Sequence, residues 1–71
     1  MTARDVVSRI RSLDPGATVV HQKGSHQKWR LTDGCTVIVP VHSSGDIPVG
    51  TLASIQRQGA PCLGRGWLLG S

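Results

Sequence analysis

The chain has 71 residues and a mass of 7.5 kDa, and its eight Lys and Arg against four Asp and Glu give a formal charge of +4. A chain this short buries only about 60% of the surface its unfolded form exposes, which excludes a Rossmann or barrel enzyme and leaves no material for a second core. With 38% hydrophobic and 17% charged residues it is too apolar to be disordered, and no apolar run approaches the roughly 20 residues of a membrane span. Trp29 and Trp67 are the only aromatics, so the core is expected to be aliphatic and the polar chemistry to fall to three histidines.

Thr2 reads as an N-cap, with Asp5 at the third helical position where its carboxylate meets free amides. Val6, Ile10 and Leu13 follow at i, i+4 and i+7, which predicts an amphipathic helix over residues 3–13, ended by Asp14-Pro15-Gly16. The β-branched Thr18, Val19 and Val20 open a first strand over 18–22, and Lys23-Gly24-Ser25 is a turn. A second strand over 26–31 runs into Thr32-Asp33-Gly34, a hairpin signal that makes strands two and three antiparallel. The third strand, 35–41, holds four consecutive β-branched residues from Thr36 to Val39, and Pro40 marks it as an edge strand or a bulge. After a polar loop, Pro48 fits the first position of a second helix. Its short stripe of Leu52 and Ile55 is expected to stop at Gly59 and Pro61.

The order is α-β-β-β-α, an α+β class with both helices on one face of a three-stranded sheet. It occupies residues 1–60 as a single domain, followed by a Gly-rich tail, 61–71, that either docks through Trp67 and Leu68 or hangs free. Cys35 and Cys62 form no CxxC pair, and the N-terminus has no apolar secretory stretch, so a reducing cytoplasm is the simplest setting. Both thiols are then expected as small buried fillers; a disulfide between them is the alternative. Metal binding by the histidines with Cys35 lacks the close ligand pairs of structural zinc sites, and no metal or other cofactor is expected.

Side chains on a strand alternate faces. In strand two Gln27, Trp29 and Leu31 share the helix face, leaving His26, Lys28 and Arg30 on the open one. In strand three Val37, Val39 and Val41 turn inward, and Thr36, Ile38 and His42 outward. An open face with lysine, arginine and imidazoles suits a polyanion, because basic side chains displace the counterions condensed on phosphates. Histidine, with an unperturbed pKa of about 6.5, serves as base and acid near neutral pH. In RNA, removing the 2′-hydroxyl proton lets that oxygen attack the adjacent phosphate, and a general base of this kind supplies about 10² to 10⁴ in rate. Lys23, Lys28 or Arg30 would stabilise charge on the phosphorane, while Gly24 lets the backbone approach a phosphate and Ser25 donates to it. An exposed histidine beside a turn is ordinarily only solvated, and exposed cations on a sheet ordinarily serve solubility. The parity pattern alone therefore does not separate a catalyst from a basic surface.

Three segments carry more. Gln22-Lys23-Gly24-Ser25-His26-Gln27-Lys28-Trp29-Arg30, then Val37-Ile38-Val39-Pro40-Val41-His42, then Asp46-Ile47-Pro48-Val49-Gly50-Thr51-Leu52-Ala53-Ser54-Ile55 resemble, in order and spacing, the HicA family of mRNA-interferase toxins. The resemblance implies a double-stranded-RNA-binding-domain-like fold, metal-independent cleavage of messenger RNA, and a HicB antitoxin that binds and blocks the toxin. It assigns the catalytic histidine to His26, and His42 falls where the family often has histidine, as an acid or a substrate contact. The family usually continues into a further helical segment after Gln58-Gly59-Ala60, where this chain is glycine-rich. The competing reading, a noncatalytic double-stranded-RNA-binding module, would carry more lysines at a helix N-terminus than Pro48-Val49-Gly50-Thr51 offers.

Overall fold

The computed structural model describes residues 1–41 and 45–70. Helix α1 spans Ala3–Leu13, strands β1, β2 and β3 span Thr18–Lys23, His26–Arg30 and Thr36–Pro40, and helix α2 spans Val49–Leu63. The strands form one antiparallel sheet in the order β1-β2-β3, giving the expected α-β-β-β-α fold, consistent with a double-stranded-RNA-binding-domain-like architecture.

Helix α1 begins as its sequence dictates. The Thr2 hydroxyl accepts from the Asp5 amide at 3.2 Å while the Asp5 carboxylate accepts from the Thr2 amide at 2.8 Å, a closed capping box. Ala3, Val6 and Ile10 are buried, but Leu13, expected in the same stripe, is 46% exposed. Asp14 takes the inward position instead. Its carboxylate accepts from the Thr32 amide (2.8 Å), the Thr32 hydroxyl (2.9 Å) and the Gly16 amide (3.2 Å), which ties the end of α1 to the β2–β3 turn. A buried carboxylate is tolerable only with such partners.

Between the layers lie Val6 and Ile10 from α1, Trp29, Val37 and Val39 from the sheet, and Leu52 and Ile55 from α2. Leu31 belongs to this core as expected, although β2 itself ends at Arg30. The Arg11 guanidinium sits 5.3 Å from the centroid of the Trp29 ring and covers it with a cation–π contact.

The expected stop at Gly59 and Pro61 is corrected: α2 runs on to Leu63 with Pro61 inside it. Pro61 has no N–H for the Arg57 carbonyl, a local loss that tertiary contacts outweigh. Gly59 is buried against the Trp67 ring, and a Cβ there would fall 2.9 Å from Trp67 Nε1, so the residue that weakens the helix is also the one that admits the tail. Trp67 Nε1 donates to the Gln56 carbonyl at 2.8 Å, and Gln56 Oε1 accepts from the Leu68 and Leu69 amides. Trp67 and Leu68 are thereby buried in the core.

The expectation of two free thiols is also corrected. Cys35, just before β3, and Cys62, in the last turn of α2, form a disulfide across 27 residues with Cα atoms 6.2 Å apart. Their distance in sequence concealed a contact that the fold creates. Because disulfides persist mainly in oxidising compartments, the two cysteines do not support a cytoplasmic setting. No helix among the described residues is long and apolar enough to cross a membrane.

Candidate active site

Gly24, with a φ of 57°, turns the chain between β1 and β2, a left-handed conformation that places glycine at the first central position of the hairpin. His26 follows immediately, exposed at the start of β2, and the register sets it between Lys23 of β1 and Pro40 of β3. Lys28 lies between His21 and Ile38 in the next row, and Arg30 between Thr18 and Thr36 in the one after. The alternation expected for β2 holds: His26, Lys28 and Arg30 are exposed, Gln27 is half-buried and Trp29 is buried. The burial of Val37 and Val39 puts Thr36, Ile38 and Pro40 outward on β3.

One contribution escaped the sequence. The register of β1 against β2 shifts between Val19 and His21, so Val20 is an extra residue in the ladder. Simple alternation from Thr18 would have sent His21 and Lys23 toward the helices; the bulge returns both to the open face. Two histidines and three cations, His21, Lys23, His26, Lys28 and Arg30, therefore share that surface. Two adjacent β-branched residues, Val19 and Val20, are the nearest local signal, and they do not specify a bulge. Ser25 is half-buried in the turn, its carbonyl accepting from the Val41 amide at 2.6 Å, which places the Gly24-Ser25 turn beside the end of β3. His42 lies outside the described residues.

None of the four acidic residues stands in a strand of the sheet, though Asp46 lines a groove next to His26. Asp5 closes the α1 cap, Asp14 binds Thr32, Asp33 lies in the β2–β3 turn, and Asp46 pairs with the amino group of Met1 at 3.2 Å. That is the sole ion pair among the described residues, which leaves the charge of the open face uncompensated by carboxylates there. The Thr32 amide, with the Thr32 hydroxyl and Gly16 amide, holds the Asp14 carboxyl below its ordinary value of 3.8 despite burial that opposes ionisation.

His26 also lines a groove of about 420 Å³ between the outer edge of β3 and α2. Ile38 and Pro40 form one wall, the buried Ile47 and Ile55 lie at its base, and Thr51, Ser54 and Gln58 project from α2. Gln58 maintains the separation: its Oε1 accepts from the Ile38 amide at 2.8 Å, capping the edge strand in place of a fourth strand, and its Nε2 reaches Ser54 Oγ at 3.5 Å. An imidazole thus stands where a cationic surface meets a cleft with mixed polar and apolar walls.

The family described as "HicA toxin of bacterial toxin-antitoxin" matches residues 3–59, from the first residue of α1 to the glycine under Trp67. The chain belongs to the HicA toxin family. Comparison with curated proteins and with solved structures gives no match. In this HicA toxin the matched span ends before the disulfide at Cys62 and before the docked tail, and it contains the whole histidine-bearing face.

Proposed function

We propose that this HicA toxin is an endoribonuclease that cleaves messenger RNA, with His26 as its general base, and that a HicB-type antitoxin neutralises it. The observation that carries the reading is the position of His26, exposed on a face with Lys23, Lys28 and Arg30 and at the mouth of the groove. A chain of 71 residues has little interior from which to build a nucleophile, and RNA brings its own. His26 removes the 2′-hydroxyl proton, the 2′-oxygen bonds to the adjacent phosphorus, and the bond to the 5′-oxygen breaks. That oxygen takes a proton from water, the His26 imidazolium returns its own to the hydroxide left behind, and the products are a 2′,3′-cyclic phosphate and a 5′-hydroxyl. Lys23, Lys28 and Arg30 hold the phosphates and stabilise the charge of the phosphorane, and the Gly24-Ser25 turn lies close enough to His26 in sequence to contact the same phosphate. The route consumes no cofactor and requires no metal ion, since nucleophile and leaving group both belong to the substrate. A messenger RNA substrate argues for the cytoplasm, against the preference of the Cys35–Cys62 disulfide for an oxidising compartment.

The antitoxin would oppose this surface with carboxylates, the electrostatic complement of Lys28 and Arg30. Lys28→Glu is expected to weaken both RNA cleavage and antitoxin binding at low salt; undiminished antitoxin affinity would move inhibition to another face. Incubation of the purified protein with end-labelled RNA tests the chemistry itself. Fragments ending in 2′,3′-cyclic phosphate are expected, with rates unchanged by chelator and lowered by salt. Stable binding with no fragments would favour the noncatalytic module.

A further inference from the structure

The groove beside His26 is larger than proton transfer requires, and its lining, which includes the Asp46 carboxylate paired with the Met1 amino group, is not that of a phosphate site. Resting on the ribonuclease reading above, we infer that it is a nucleobase pocket, taking one unpaired base of single-stranded RNA next to the phosphate at His26. Ile38 is 37% exposed beside Lys28 on the open face, and with Pro40 it offers an apolar surface on which a base can lie. Thr51 and Ser54 stand across from that wall on α2, hydroxyls able to donate to or accept from a base edge. Ile47 and Ile55 close the bottom. A volume of about 420 Å³ falls within the range of small-ligand sites.

Charge decides the occupant. Lys23 shares a row with His26 and Lys28 shares one with Ile38, so a strand drawn along the two lysines by its phosphates presents its bases toward the groove. A base inside a duplex is paired and stacked and cannot enter, whereas an unpaired base enters without that cost. The pocket therefore selects single-stranded RNA, on a fold otherwise suited to reading duplex shape. Because Gln58 bonds to the backbone of β3 and to Ser54, the width of the pocket is set by the packing of α2 on the sheet edge.

The test uses a short single-stranded RNA with 2′-O-methyl sugars, which binds but has no free 2′-hydroxyl to attack. Ser54→Leu, which fills the groove, is expected to lower its affinity about tenfold, the loss of one seated base. The slope of affinity against salt should stay unchanged, because phosphate contacts are untouched. Replacing one nucleotide of the RNA by an abasic residue should reproduce the loss in the parent protein and add nothing further in Ser54→Leu. Thr51→Val supplies a second variant if Ser54→Leu melts at a lower temperature than the parent. Equal affinity of parent and folded variants, or additive abasic and protein effects, would overturn the pocket, including the case where the substitutions disturb only antitoxin binding. Failure of the ribonuclease reading shows separately, as uncut unmodified RNA.

Discussion

The two faces of the sheet obey different physics. Toward the helices, Trp29, Val37 and Val39 are nearly inaccessible, and polar groups are admitted only with partners, as Asp14 is by Thr32 and Trp67 by Gln56. Away from them, His21, Lys23, His26, Lys28 and Arg30 stand exposed, and no carboxylate among the described residues pairs with them. The first face holds the fold together and has no freedom to do chemistry. The second contributes little to the fold, so its composition is free to answer to a ligand. Substitutions on the covered face should therefore read out as stability, and those on the open face as function.

The largest expected effect on the covered side comes from Trp67→Ala. Removing a buried indole that also caps the Gln56 carbonyl should cost about 3–5 kcal/mol in urea unfolding. A loss within 0.5 kcal/mol would mean that the tail does not belong to the core. Next is the disulfide: replacing Cys35 and Cys62 together by serine should lower stability by about 3 kcal/mol relative to the oxidised protein, in line with a loop of this length. Reductant should destabilise the parent and leave the double variant unaffected, whereas equal sensitivity would show the bond to be unimportant.

A smaller effect concerns acid. The Asp14 carboxyl is held below 3.8 chiefly by the Thr32 amide, so its folded pKa lies below the unfolded one. Its contribution is complete above about pH 4 and is lost as pH falls through the folded value. Asp14→Asn should therefore lower the melting temperature more at pH 7 than at pH 2.5; a uniform drop at both would assign the effect to packing. The smallest effect on stability belongs to Lys28→Ala, which should leave the melt within about 0.5 kcal/mol of the parent. It should also reduce the salt slope of RNA binding by about one unit. A destabilised Lys28→Ala protein would break the division between the faces.

Much of this division was legible in the residues themselves. The Thr2–Asp5 box, the Asp33-Gly34 hairpin and the alternation through Trp29 are local rules, and each is met in the structure. The side of β2 that carries His26 follows from counting by two. What the sequence did not show depends mostly on contacts distant in sequence. A helix that passes through Gly59 and Pro61 depends on Trp67 and Cys35, which no local pattern links to it. The exposure of Leu13 reflects the competing claim of Asp14, whose partner Thr32 lies 18 residues away. His21 and Lys23 reach the open face through a bulge at Val20, and the groove exists because Gln58 caps an edge strand 20 residues earlier.

The central claim is that His26 is required for chemistry and dispensable for the fold. Paired measurement of RNA cleavage and thermal unfolding for His26→Ala tests both halves at once. The expected result is a cleavage rate lowered by about 10² to 10⁴ with a melting temperature matching the parent. A His26→Ala protein that cuts RNA as fast as the parent would contradict the account.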